Sequence, residues 1–129
     1  MYVDASAILG IMKGEADRSD LLERLHGAPD LITSPITAFE AAIGFRSLSG
    51  STSSAASEVS SFLSICGIRQ VSIDESYLIE FALARDRYGK DSGHSAQLNL
   101  GDCVSYGIAK SLRVPMLYKG NDFALTDLR

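Results

Sequence analysis

Four carboxylates in this sequence sit where chemistry could gather: Asp4 after Tyr2-Val3, Glu40 inside Ala38-Phe39-Glu40-Ala41-Ala42, Asp102 in Leu98-Asn99-Leu100-Gly101-Asp102-Cys103, and Asp122 in Lys119-Gly120-Asn121-Asp122. Taken singly, each has an ordinary reading. Asp4 can cap a first helix and Asp122 can be a turn residue. Asn99 and Asp102 have the spacing of a capping box whose acid also complements the helix dipole. Glu40 can face solvent or form a capping box with Thr37. Brought together, the four would repel one another, and their pKa values would rise unless a cation neutralised them. An all-oxygen donor set suits Mg²⁺ or Mn²⁺. Such an ion can ionise a water and stabilise the leaving oxygen of a phosphodiester displacement. The sequence has no Cys/His cluster with zinc spacing and no glycine-rich phosphate loop. It also lacks a Gly-x-Ser-x-Gly or Cys–His pairing that would support nucleophilic catalysis.

The elements needed to position these acids can be read along the chain. Tyr2-Val3 reads as a strand followed by an apolar helix over 5–12, and residues 15–25 have the pattern of an amphipathic helix. Leu31-Ile32-Thr33 reads as a second strand. Ser34-Pro35 then starts a helix reaching about Leu48, with Ile36, Phe39, Ile43 and Phe45 among its apolar residues. The Ser/Gly-rich run 47–54 reads as a loop, and 55–66 as a helix stopped by Gly67. Residues 68–73 alternate like a strand, and Asp74 caps a helix through Tyr88. A polar loop over 89–97 leads to the Asp102 helix and a last buried strand over 114–118. Strands alternating with helices imply an α/β sandwich around a mainly parallel sheet. In such sheets the functional crevice lies beyond the carboxyl ends of the strands. Asp4 and Asp122 each follow a strand, and Asp102 opens the helix that feeds the last one.

The chain has 129 residues, which predicts a single domain over 1–129 with a real core. No apolar run is long enough for a membrane span. The first residues lack the basic segment of a signal peptide, so a cytoplasmic protein is expected. Cys66 and Cys103 fall in apolar helical patterns, as buried free thiols do. The net charge of −4 disfavours non-specific nucleic-acid binding. Residues 81–129, however, hold 7 Lys/Arg against 5 Asp/Glu, so a polyanion would prefer that part of the chain. His94 reads as a surface-loop residue, and Tyr106 and Tyr118 as core.

Val3-Asp4-Ala5-Ser6-Ala7, Thr37-x-x-Glu40, Leu98-Asn99-x-Gly101-Asp102-Cys103 and Tyr118-Lys119-Gly120-Asn121-Asp122-Phe123 together resemble the PIN-domain ribonucleases, specifically the VapC-type toxins of bacterial toxin–antitoxin systems. The resemblance runs nearly end to end. It implies a PIN-like three-layer α/β/α sandwich and a metal-dependent endoribonuclease toxin of a type II system. Asp4, Glu40, Asp102 and Asp122 would then bind Mg²⁺ or Mn²⁺ for hydrolysis of RNA. Ser6, Asn99, Asn121 and Lys119 would line the site. Asn121 stands where many relatives carry Asp, which would weaken a second metal site. The resemblance also implies a cognate antitoxin, a homodimer, and contact with DNA only indirectly, through the antitoxin. The alternative is a catalytically silent PIN-like module that binds protein within an antitoxin–DNA complex. A receiver-type phosphotransfer domain would need an acidic pair just after the first strand, where only Asp4 stands.

Overall fold

Alternation along four short strands decides the layering. The computed structural model describes residues 1–128. Its strands are β1 (Tyr2–Val3), β2 (Leu31–Thr33), β3 (Ile68–Gln70) and β4 (Met116–Leu117). Successive side chains on a strand point to opposite faces. Accordingly Val3, Leu31 and Leu117 join one core cluster, while Tyr2, Ile32 and Met116 join another. Helices α1 (Ala5–Met12), α2 (Arg18–His26), α3 (Pro35–Ser49) and α4 (Thr52–Ile65) supply the first cluster through Ile8, Leu25, Ala41 and Val59. Helices α5 (Leu78–Tyr88) and α6 (Leu100–Leu112) supply the second through Ala84, Tyr88, Val104 and Ile108. The expected three-layer α/β/α sandwich is therefore the observed one.

All strand pairs are parallel, in the order β3-β2-β1-β4. The chain builds outward from β1 through β2 and β3, then returns to add β4 on the other side of β1. That reversal makes the carboxyl ends of β1 and β4 a topological switch point, where open α/β sheets form their crevices. Asp4 directly follows β1, and the turn holding Asp122 follows β4.

Local chemistry explains the helix boundaries. Ser34 caps α3 by accepting the Thr37 N–H, with Pro35 at the first helical position. The Ser/Gly-rich run does not form the expected loop over 47–54. Instead, α3 continues to Ser49, Gly50 closes it at φ 93°, and Ser51 already caps α4. Glycine tolerates that left-handed backbone without a Cβ penalty, so two residues suffice for the turn. Three other expected elements are shorter, since α2 begins at Arg18, β3 ends at Gln70 and β4 spans only Met116–Leu117. Asp74 caps a 3-10 turn over Glu75–Tyr77, which runs into α5. Of the apolar residues of α3, Ile36, Phe39 and Ile43 are exposed, and the helix buries Thr37, Ala41 and Ala42. Small residues bring α3 close to its neighbours α1, α4 and α6.

Candidate active site

Asp4 is the most buried of the four acids, 5% exposed at the end of β1. Its Oδ2 caps α1 by accepting the Ser6 N–H at 3.0 Å and the Ser6 hydroxyl at 2.7 Å. The ordinary reading of Asp4 as a cap is therefore correct. It uses one oxygen and leaves Oδ1 without a hydrogen-bond partner among the described residues.

Glu40 reaches the amino end of α6 because position 101 has no side chain. A Cβ on Gly101 would overlap the Glu40 carboxylate. Burial, then the charges of Asp4 and Asp102, push the Glu40 carboxyl up to about 7. The Thr37–Glu40 capping box, one of the ordinary readings of Glu40, does not form, because Ser34 is the cap and the Thr37 hydroxyl turns inward. There Tyr2 Oη bonds Ser34 Oγ at 2.9 Å and Thr37 Oγ1 at 2.7 Å, and Thr37 Oγ1 bonds Ser105 Oγ at 3.1 Å. Tyr2 lies two residues before Asp4, Thr37 one helical turn before Glu40, and Ser105 one turn after Asp102. This buried hydroxyl chain ties together β1, α3 and α6, the elements that carry three of the acids. A satisfied buried polar network holds one arrangement of its members rigidly.

Asp102 closes the capping box foreseen from its spacing. Its N–H donates to Asn99 Oδ1 at 2.9 Å, and its Oδ2 accepts the Asn99 N–H at 3.0 Å. Burial nevertheless pushes its carboxyl up to about 6, with Asp4 and Asp122 adding to the rise while the Asn99 amide and Lys90 oppose it. Cap and acidic neighbour are the same residue.

Asp122 is exposed and joins the cluster from the β4 side through its charge on Asp102. Its turn is latched to the first helix, since the Lys119 N–H donates to Ser6 Oγ at 3.0 Å. Ser6 thus links Asp4 to the turn bearing Asn121 and Asp122. Lys119 meets the site through its backbone, while its ammonium is paired with Glu15 and Asp17. Asn121 is exposed beside Asp122. His94 lies in the loop, half-buried, with its ring edge-on to Tyr88 and its Nδ1 accepting the Ala96 N–H. Tyr106 is buried and Tyr118 half-buried. Cys66 and Cys103 are free. Spacing could not reveal Tyr2, Ser105 and Gly101, whose roles depend on long-range contacts. A glycine in the first turn of a helix was the available signal for the last.

Among the described residues none of the four acids forms an ion pair. Nor do three such side chains stand close enough to ligate one ion together. An oxygen-only, half-buried acidic crevice of this kind fits Mg²⁺ or Mn²⁺. Mg²⁺ keeps several waters and is commonly held directly by one or two carboxylates.

Comparison with known proteins gives a consistent result. The PIN-domain family matches residues 1–128. A VapC ribonuclease of Rhizobium meliloti (strain 1021) is 37% identical over 139 residues, covering 98% of each chain. A VapC ribonuclease of Mycolicibacterium smegmatis is 34% identical over 128 residues, covering 99% of this chain and 97% of its own. The crystal structure of Mycobacterium tuberculosis VapC20, a sarcin-ricin loop cleaving toxin, shares the fold with a TM-score of 0.77 at 14% identity, over 99% of this chain and 95% of that one.

Proposed function

Since the chain belongs to the PIN-domain family and to its VapC ribonucleases, we propose that it is a metal-dependent endoribonuclease toxin whose site is the crevice of Asp4, Glu40, Asp102 and Asp122. The observation that carries this reading is the uncompensated acidity of the crevice. Glu40 and Asp102 are pushed up to about 7 and about 6, and no Lys or Arg among the described residues pairs with either.

Asp4, Asp102, Glu40 and Asp122 would hold Mg²⁺ or Mn²⁺, directly or through water. When bound, the ion supplies an acidified water and positive charge at the leaving oxygen of the phosphodiester. The chain's own residues set the geometry. Ser6 fixes the rotamer of Asp4 and the position of the 119–122 turn. Asn99 fixes Asp102 at the start of α6. Gly101 admits Glu40, and the Tyr2–Thr37–Ser105 chain keeps the three supporting elements in register.

A toxin that cuts cellular RNA acts in the cytoplasm and needs restraint, which a cognate antitoxin would supply. An arginine of that partner could pair bidentately with the crevice acids. The exposed apolar residues Ile36, Phe39 and Ile43 on α3 support a protein-covered face, as a homodimer or an antitoxin complex would have. DNA would be reached only through the antitoxin. No helix among the described residues is long and apolar enough to cross a membrane.

The test is RNA cleavage by the purified chain with added Mn²⁺ or Mg²⁺. Cleavage that stops on EDTA addition is expected. Persistent cleavage in EDTA would remove the metal, and no cleavage with either ion would favour the silent protein-binding module.

A further inference from the structure

We propose that the groove between α5 and the amino end of α6 binds the base of an unpaired RNA nucleotide next to the phosphate being cut. This rests on the ribonuclease reading and assigns the site a substrate pocket. The groove encloses about 690 Å³, and its walls include Leu78, Phe81, Leu100, Val104, Asn99 and Lys90. It begins at the capping box itself, so whatever fills it lies beside Asp102.

Three features fit a nucleotide. The first is a fixed aromatic surface. Phe81 packs where Gly107 of α6 lacks a side chain, a Cβ there lying 2.5 Å from its ring, and Tyr77 stacks on it at 6.0 Å and 12°. A ring held this way can stack a base without further ordering. The second is Leu100, 84% exposed at the first position of α6 and unexplained by packing. The third is the polar edge. Asn99 uses Oδ1 for the cap, which leaves its amide NH₂ free to donate to a base. Arg85 is held by Asp91 at 2.8 Å and by the Lys90 carbonyl at 3.1 Å, whereas Lys90 forms no ion pair among the described residues. An apolar floor, an amide donor and a free ammonium beside a phosphodiester site match base, edge and backbone of one nucleotide.

The experiment reads binding without cleavage, so its outcome is independent of whether the chain proves to be a nuclease. The Asp102→Asn chain, with ¹³C-labelled Leu and Val methyls, is titrated with short single-stranded oligo(A), oligo(C), oligo(G) and oligo(U), and with an abasic ribose–phosphate oligomer of equal length. At least one base-bearing oligomer is expected to shift the Leu78, Leu100 and Val104 methyls, and the abasic one to leave them unmoved. Adding Leu100→Glu, which places an acid favourably in the first turn of a helix, should weaken that binding by about tenfold and leave the melting temperature unchanged. Equal binding of abasic and base-bearing oligomers would overturn the proposal. So would unaltered affinity of the Leu100→Glu chain, or methyl shifts produced only by a co-expressed partner protein.

Discussion

Two aspartates at opposite ends of α6, Asp102 within its first turn and Asp127 bonded to its second half, have opposite fates. Asp127 accepts the Tyr106 hydroxyl at 2.7 Å and the Lys110 ammonium at 2.6 Å, with Arg87 at 3.6 Å. These partners hold its carboxyl below the usual aspartate range. Asp102, at the other end, receives one backbone N–H and no cation, and burial with acidic neighbours pushes it up to about 6. The chain therefore pairs an acid that only anchors the C-terminal segment and leaves another unpaired. An unpaired, partly buried carboxylate opposes the folded state in its charged form. Keeping such acids in one crevice calls for compensating charge, and a cation from solvent is one source.

Substitutions at the two ends should separate these roles. Asp102→Asn keeps the shape and the cap, yet removes a negative donor from the crevice. RNA cleavage at saturating Mn²⁺ should fall about 100-fold or more, while the metal-free chain melts at the same or a higher temperature. Cleavage at the wild-type rate would return Asp102 to a plain helix cap. Gly101→Ala should cost about tenfold or more in cleavage, because the new methyl displaces the Glu40 carboxylate and small misplacements at a reacting centre are expensive. Unchanged cleavage by a folded Gly101→Ala chain would show that the position of Glu40 is immaterial.

The smallest effects belong to Asp127. Asp127→Asn should leave cleavage intact and lower stability by about 1 kcal/mol, the range of partly exposed ion pairs, read from a denaturant melt. The pH dependence of the two ends has opposite sign. Glu40, raised from 4.5 to about 7, contributes stability that is complete below 4.5 and disappears as pH rises through about 7. Asp127, lowered from 3.8, contributes stability above 3.8 that is lost as pH falls through its folded value. In the metal-free chain, the Glu40→Gln variant should flatten the loss between pH 5 and 7, and Asp127→Asn should leave it in place. A wild-type chain equally stable across that window would contradict the strained crevice.

Much of this was legible in the sequence because it is local. Caps, turns and strand ends mark Asp4, Asp102 and Asp122, and the α/β alternation places them at one sheet edge. Ser34-Pro35 located the start of α3 and, with it, the turn that carries Glu40. What escaped depends on contacts between distant residues. Thr37 and Ser105 meet only once α3 lies against α6, and the use of Gly101 appears only when Glu40 is seen over it. Which apolar side chains of α3 would be buried was not legible for a related reason. Small residues at Ala41 and Ala42 allowed the close packing, which left Phe39 and Ile43 outside.

Calorimetric titration with Mn²⁺ at pH 6.5, repeated in buffers of different ionisation heat, tests the acidic crevice most directly. Glu40, raised to about 7, is mostly protonated there, whereas Asp102, raised to about 6, is mostly ionised, so a bound cation must displace a proton chiefly from Glu40. Binding accompanied by proton release in the wild type, both reduced in Asp102→Asn, is the predicted result. Absence of binding, or binding with no proton released and no change in the Asp102→Asn chain, would contradict the account.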